Sequence, residues 1–257
     1  MDKVKTAKIL ITFIIVVGIV GVWFLEPIAQ DVKYHIFTDQ RTILTIPNFW
    51  NILSNLPFLL VGIAGLISIF ASPGIFLSSE MKIAYILFFS GVALTAVGSG
   101  YYHLSPDNES LVWDRLPMTI VFMALFSIVI AEYISARLAK LILWPLIILG
   151  VFSVVYWHMT ESEGNGDLRL YILVQFVPMM VIPLILLFFK SEYNDSRGYW
   201  MLLFAYAVAK VFEHFDEAIY NALPVLSGHS IKHIVAAIGI FMLLRMYNTR
   251  ENLKVKD

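Results

Sequence analysis

Eight long apolar runs, separated by short polar connections, make up most of the chain. A hydrocarbon core about 30 Å thick needs about 20 helical residues to cross it, and each run is of that order. The pattern predicts spans at Ile9–Leu25, Phe49–Phe70, Ile83–Tyr102, Leu116–Ala136, Leu141–Trp157, Leu168–Phe189, Tyr199–Ala222 and Ser230–Tyr247. The predicted fold is all-α: a polytopic membrane helix bundle of seven core transmembrane helices with one extra N-terminal transmembrane helix.

The short connections leave no room for a separate soluble domain. We expect an N-terminal helix and outer loop at residues 1–47, a seven-helix domain at 48–247 and a cytoplasmic tail at 248–257. The first run follows three lysines, as in a signal peptide. It is long for such a segment and no small-x-small cleavage site follows it, which favours a retained helix.

Composition agrees with a membrane protein. Hydrophobic residues make up 59% of the chain, charged residues make up 14%, and the mean hydropathy is +0.78. Soluble domains are about 45–50% apolar and about 25% charged. A net charge of −1 argues against nucleic acid as a partner. With no cysteine, any metal site must use His, Asp or Glu.

Lysines and arginines indicate the orientation, because they concentrate in cytoplasmic loops. With the N-terminus in the cytoplasm and all eight spans threaded, twelve fall on the cytoplasmic side: Lys3, Lys5, Lys8, Lys82, Arg137, Lys140, Lys190, Arg197, Arg245, Arg250, Lys254 and Lys256. Only four fall on the outer side: Lys33, Arg41, Arg115 and Arg169. Both termini are therefore predicted to be cytoplasmic.

Three histidines share the outer end in this threading. His103 closes one run, one turn after Ser99, and His229 and His233 lie one turn apart at the head of the last run. A His-x-x-x-His pair places both imidazoles on one helix face, where they can share a zinc ion. Ser230 follows His229 where the zincin motif has glutamate, so the metalloprotease class is excluded. With His103, three ligands would leave an open, catalytic coordination position. Alternatively, these histidines only hydrogen-bond between helices.

An aspartate lies at the same depth. Asp114 follows His103 by eleven residues, at the head of the next run. Ionisable groups in membrane helices usually mark function, because inserting them costs free energy. The alternatives are a helix N-cap or a partner for Arg115, and Ser99 could be a small residue in a helix contact.

Three asparagines stand at the outer head of the first core run. Asn48, Asn51 and Asn55 share a helix face. They are polar contacts between helices, or Asn51 and Asn55 are possible hydrogen-bonding partners of the metal ligands.

The segment 210–217 is densely charged for a membrane span. Lys210 with Glu213 or His214 predicts a local ion pair. Asp216 faces another direction and is a possible hydrogen-bonding partner of a metal-bound histidine. The alternative is a hydrated helix end.

These motifs together resemble the alkaline ceramidase family. The resemblance is carried by Ser99-x-x-x-His103, by Asp114 within WDRLPM and by His229-x-x-x-His233. The sequence NFWNILSN is also similar to that of the family, and the resemblance covers residues 48–247. The family belongs to a superfamily of seven-helix hydrolases that includes the progestin/adipoQ-type receptors.

The resemblance implies a zinc-dependent amide hydrolase. His103, His229 and His233 would hold the zinc ion, with Ser99 and Asp114 as catalytic residues beside the metal-bound water. The substrate would be ceramide, a lipid taken from the bilayer and cleaved to a sphingoid base and a free fatty acid. Asp114 would accept the water proton and pass it to the leaving amine, and Ser99 would hydrogen-bond the oxyanion.

The chain departs from the family in two respects: the extra N-terminal span is not part of the common core, and the calcium site is altered. Relatives of the human enzymes have an acidic calcium site before the first core helix, but here Asn48 replaces an expected carboxylate and Asp39 is the remaining possible ligand. Calcium is therefore a doubtful cofactor. The lack of cysteine and the compact loops favour a bacterial member in the inner membrane rather than the ER or Golgi, whose substrate could be a related N-acyl lipid.

Two other functions stay open. One is a zinc-containing seven-helix receptor or lipid-binding protein with little or no turnover. The other is a retinal-type chromoprotein, suggested by Lys232 in the last run but disfavoured because that lysine lies only about one turn inside the helix. The oligomeric state cannot be read from the sequence.

Overall fold

Apolar segments can satisfy their backbone groups inside a bilayer only as helices or closed barrels, and this chain forms helices. The computed structural model describes residues 3–71 and 81–253. Its helices are α1 (Lys3–Phe24), α2 (Phe49–Leu53), α3 (Leu56–Ala71), α4 (Lys82–Leu104), α5 (Asn108–Tyr133), α6 (Ala136–Ser162), α7 (Arg169–Phe188), α8 (Arg197–His214), α9 (Asp216–Ala222) and α10 (Gly228–Thr249). These described residues contain no β-strand, which confirms the all-α class.

Seven segments of the described chain are long and apolar enough to cross a membrane: α1, α2 with α3, α4, α5, α6, α7 and α10. The predicted span Phe49–Phe70 is broken between α2 and α3, and the predicted span Tyr199–Ala222 is broken at Phe215, between α8 and α9. Lys254 and Lys256, predicted to lie in the tail, fall outside the described residues. The side on which each terminus lies stays a prediction.

Helix α8 lies antiparallel to α10 along its whole length. At one end Gly198 of α8 packs against Met246 of α10, and at the other end Gly228 of α10 packs against the backbone of Phe212. With 18 residues, α8 is about 27 Å long, which is close to the thickness of the hydrocarbon core. Its charged residues lower its hydropathy, but it traverses the bundle beside α10.

The N-terminal helix α1 packs on the outside of the bundle, against α7. A Cβ on Gly18 would lie 3.4 Å from Leu173 and Val177. Near the other end of the contact, Arg169 donates to the carbonyl of Leu25 at 2.5 Å. Ala7 is the buried residue of α1. The extra helix therefore has a specific contact surface on α7, while its retention in the mature protein stays a prediction.

Helix α5 begins eight residues before the predicted start at Leu116. Asp107 caps it: its carboxylate accepts from the Ser110 backbone N–H at 2.6 Å, and the Ser110 hydroxyl accepts from the Asp107 N–H at 3.1 Å. This capping box also holds the pKa of Asp107 below its usual value, chiefly through the Ser110 backbone N–H. Asp114 thus lies in the second turn of α5, and the N-cap alternative for Asp114 is wrong.

A buried ion pair joins the far ends of three helices, at the opposite end from the histidines. Arg250, the C-cap of α10, donates to both carboxylate oxygens of Glu132 in the last turn of α5, at 2.6 and 2.7 Å. Tyr85, in the first turn of α4, donates its hydroxyl to Glu132. The guanidinium also lies 3.7 Å from the Tyr193 ring centroid. Both charged side chains are 0% exposed, so the pair fixes α10 relative to α4 and α5.

We predict that Glu132→Ala will destabilise the protein strongly. The variant leaves the Arg250 guanidinium buried without its counter-charge, and breaking a buried pair in this way costs about 3–5 kcal/mol. Thermal unfolding of the purified protein in detergent measures the loss. Asp195→Ala is the matched control, because its partner Arg197 is 88% exposed and exposed pairs contribute little. Equal losses in the two variants would contradict this role for Glu132.

Candidate metal centre and its cavity

The three histidines come from two helices that meet at the end where α4 finishes and α10 begins. His103 lies in the last turn of α4, and His229 and His233 lie in the first two turns of α10. The spacing of four residues places the two α10 imidazoles on one face. All three side chains are nearly fully buried, with exposures of 1%, 7% and 8%.

The imidazole nitrogens converge on one point. One ring nitrogen from each histidine lies within 4.8 Å of the other two, and the Nε2 atoms of His103 and His229 are 3.4 Å apart. Two imidazole nitrogens that face each other so closely can share one proton or one cation. The Nδ1 of His103 is buried and lacks a hydrogen-bond partner in the described part of the chain. The donor set fits a borderline-soft cation such as Zn²⁺.

Neighbouring side chains orient these rings. The Ser54 hydroxyl lies 2.9 Å from Nδ1 of His233, which leaves Nε2 of that ring for a metal. Hydrogen bonds to the second ring nitrogen commonly orient metal-binding histidines. Phe37, which is 4% exposed, covers the cluster, with ring centroids 4.6 Å from His103 and 4.7 Å from His229. The loop before α2 therefore covers the site on the side of Phe37.

The side chains of the asparagines contact the backbone and hydroxyl groups around the site, and the backbone of Asn51 also lies within hydrogen-bonding reach of the His233 ring. Asn48 donates to the carbonyl of His103 at 2.9 Å. Asn51 accepts from the Ser230 hydroxyl at 2.8 Å, which ties α2 to the first turn of α10. Asn55 donates to the Asn51 carbonyl at 2.8 Å, and its Oδ1 lacks a hydrogen bond within residues 3–71 and 81–253. The asparagine face thus aligns α2 against the two ligand-bearing helices.

Asp216 also supports the cluster through the backbone. Its carboxylate accepts from the His229 backbone N–H at 2.7 Å and from the Thr38 N–H at 3.4 Å. The expected bond to a histidine ring is not the one that forms. Instead, Asp216 satisfies an N–H in the first turn of α10, where helices have no internal acceptor.

The two residues predicted as calcium ligands hold other partners. Both oxygens of Asp39 accept from the Arg41 guanidinium, at 2.6 and 2.8 Å, and the Asp39 carbonyl accepts from Asn51 at 3.0 Å. The side chain of Asn48 is bonded to the His103 carbonyl. Calcium is therefore not part of the function proposed below.

Ser99 and Asp114 lie side by side next to the histidines. The Ser99 hydroxyl is within hydrogen-bonding reach of the Asp114 carboxyl, and both line one cavity with His233. Helices α4 and α5 approach closely here, since a Cβ on Gly98 would lie 1.9 Å from the carbonyl oxygen of Trp113. The absence of a side chain at residue 98 thus permits the contact that brings Ser99 to Asp114.

The cavity has a volume of about 480 Å³, within the range of small-molecule sites. Its walls come from α4, α5, α7, α8 and α10, and much of its surface is apolar, including Phe88, Val92, Met118, Phe122, Phe176 and Met179. Gln175 of α7 donates to the Tyr206 hydroxyl of α8 at 3.0 Å across this wall. An apolar chamber that ends at Ser99, Asp114 and His233 suits a ligand with a polar group and a long tail.

Charged residues that the sequence analysis did not assign to the site also line the cavity. They are Lys232, Lys210 and Glu213 at the α8–α10 contact, and Arg115 of α5. Instead of forming an ion pair with Asp114, Arg115 donates to Gln30 at 2.6 Å, and its guanidinium carbon lies 4.2 Å from the Trp157 ring centroid. The sequence could have predicted the position of Lys232, because this residue is three positions after His229 and the two side chains are therefore neighbours on the helix.

Comparison with known proteins adds a family match. A family model described as Ceramidase matches residues 38–255, which is most of the chain and includes every histidine of the cluster. No curated protein matches the chain.

We predict that Gly98→Ala will separate α4 from α5 and lower stability. The new methyl would meet a backbone oxygen at 1.9 Å, and overpacking of this kind costs about 1–3 kcal/mol. Gly100→Ala is the control, because the nearest atom to its Cβ is 3.9 Å away. Thermal unfolding should show a loss for Gly98→Ala and none for Gly100→Ala. Identical behaviour of the two variants would refute the close approach.

We predict about one bound metal ion per chain, held by three protein ligands. Elemental analysis of the purified protein should lose this metal in His103→Ala, His229→Ala and His233→Ala. His158→Ala should retain it, because His158 lies beside Glu109, at 3.4 Å, and outside the cluster. Full metal content in the three cluster variants would rule out this centre.

Proposed function

The chain belongs to the ceramidase family, and from this premise we propose that it is a zinc-dependent hydrolase that cleaves the amide bond of ceramide or a related N-acyl lipid. The observation that carries the proposal is the convergence of three buried imidazoles beside Ser99 and Asp114, at the polar end of an apolar cavity. The family supports hydrolysis of an amide, while the cavity supports a substrate with a long acyl chain.

His103, His229 and His233 would hold the metal. A zinc ion there would lower the pKa of a bound water toward about 7 and polarise the amide carbonyl. Among the described residues, the cluster consists of three imidazoles and contains no carboxylate or thiolate. Its side chains would therefore contribute no negative charge to offset the charge of the ion. This is the donor set of an open, catalytic site rather than of a closed structural one.

Asp114 and Ser99 divide the remaining work. Asp114 accepts a proton from the water that attacks the amide carbon and delivers a proton to the nitrogen as the carbon–nitrogen bond breaks. Ser99 donates a hydrogen bond to the oxygen on which negative charge develops. The water thus supplies the hydroxyl of the fatty acid and one hydrogen of the amine, and the products are a free fatty acid and a sphingoid base or another amine lipid.

The cavity accommodates the lipid tail. Its apolar wall includes Phe176 and Met179 of α7 and Leu202 of α8, and these helices form part of the membrane bundle. An acyl chain can lie along this wall while the amide reaches Ser99 and Asp114. The head of the lipid then lies under the Phe37 cover.

We also propose that both termini are cytoplasmic and that the site lies near the outer face of a bacterial inner membrane. The distribution of lysine and arginine supports this orientation. Lipid headgroups lie at that depth, so the reacting amide need not cross the hydrocarbon core.

We predict that the purified protein releases fatty acid from ceramide and that Asp114→Asn lowers kcat about 10²–10⁴-fold, since it removes the proton acceptor. Ser99→Ala should lower kcat about 10²–10³-fold. Glu109→Gln is the control, because that side chain is 77% exposed and lies outside the cavity. Fatty acid is quantified over an extended incubation.

The same assay separates an enzyme from a binding protein. A metal-loaded protein that binds N-acyl lipids but releases no fatty acid, or releases it equally with Asp114→Asn, would disprove the proposed hydrolase and favour a receptor.

A further inference from the structure

A buried ammonium lies inside the cavity, next to the metal ligands. Lys232 is three residues after His229, so these two side chains are neighbours on the surface of α10, and Lys232 lines the cavity together with His233. Its side chain is 15% exposed and lines the cavity. Moving a charge out of water costs free energy, and inside membrane helices ionisable groups usually serve function.

One carboxylate serves two ammonium groups at this position. Glu213 accepts from Lys232 through Oε1 at 2.5 Å and from Lys210 through Oε2 at 2.7 Å. Both oxygens are occupied and all three side chains line the cavity. The cluster Lys210–Glu213–Lys232 therefore keeps a net positive charge of one.

Arg115 adds a further cation to the cavity wall. It is 6% exposed, and no carboxylate forms an ion pair with it in the described ranges. The carboxylates of the lining are Asp31, Asp114 and Glu213, which balance Arg115, Lys210 and Lys232 in formal charge. A divalent cation at the histidines would leave the chamber positive, and an anionic ligand would offset that charge.

We propose that the preferred substrate is an N-acyl lipid whose amine part carries an anionic group, a carboxylate or a phosphate, bound by Lys232 and Lys210. This inference rests on the proposed amide hydrolysis. Because Lys232 lines the same cavity as Asp114 and His233, the anionic group lies close to the scissile amide. Hydrolysis adds water across the carbon–nitrogen bond as before, and the anionic group leaves with the amine product.

Two substrate pairs with the same palmitoyl chain test the proposal and distinguish the two anions. N-palmitoyl glycine is compared with N-palmitoyl ethanolamine, and ceramide 1-phosphate is compared with ceramide, in a neutral detergent. In at least one pair, we expect kcat/KM for the anionic substrate to be about tenfold or more above that for the neutral substrate. A charge-assisted hydrogen bond accounts for a difference of this size. The pair with the larger ratio identifies the anion. Neutral members that are turned over as well or better in both pairs would overturn the proposal.

Variants of the lysine assign the preference to this position. Lys232→Gln should bring the ratio within the preferred pair close to one, and Lys232→Arg should retain it. Lys33→Gln is the matched control, since it removes an exposed ammonium from the 3₁₀ turn outside the cavity. A ratio that survives Lys232→Gln would refute the role of this side chain.

A binding measurement separates this inference from the hydrolase proposal. If no substrate is cleaved, the proposed function fails, and the same lipids then act as ligands whose binding raises the unfolding temperature. The anionic lipids should raise it more than their neutral counterparts, and Lys232→Gln should abolish the difference. Equal shifts in both pairs would overturn the inference regardless of turnover.

Discussion

Three short side chains from two separate helices must reach one point, and the rest of the fold is arranged around that requirement. An imidazole extends only a few ångströms from its helix. The end of α4 and the start of α10 must therefore lie at the same depth, with each helix rotated so that its histidines point toward the common site. Shifting a ligand by one residue would turn it by about 100° around its helix and move it off the site. The Nε2 atoms of His103 and His229 are 3.4 Å apart, so α4 and α10 must be positioned accurately relative to each other.

Polar contacts at both ends of helix α10 hold it in this position. At the site, the backbone N–H of His229 is bound by Asp216 and the Ser230 hydroxyl is bound by Asn51. At the far end, Arg250 is bound by Glu132 between α5 and α4. Helix α10 carries two of the three histidines, and a polar contact at either of its ends restricts its sliding and rotation. Polar groups, which are costly to place in a membrane, thus determine the geometry of the site.

The sequence predicted which histidines come together and predicted their surroundings less well. The three histidines, Ser99 and Asp114 were identified because their residue types and spacings report helix faces and depths. Contacts that depend on how loops fold were not predictable. Phe37 and Ser54 touch the rings, but neither an aromatic loop residue nor a helical serine is distinctive in a sequence. Asp216 was placed correctly near the site and was expected at a ring, because spacing cannot distinguish a side-chain from a backbone donor. The break at Phe215 was missed because Tyr199–Ala222 was treated as one span although the charged segment 210–217 interrupts its apolar run.

The charges of α8 explain why it is the least apolar of the long helices. Lys210 and Glu213 lower its hydropathy, and both face the cavity beside Lys232. A cation held by His233 would be repelled by the neighbouring Lys232 ammonium, and the Glu213 carboxylate, 2.5 Å from that ammonium, would offset the repulsion. If α8 were a uniformly apolar span, Lys232 would lack a counter-charge in a low-dielectric chamber and metal binding would be weakened. The unusual composition of α8 is therefore a consequence of the site it completes.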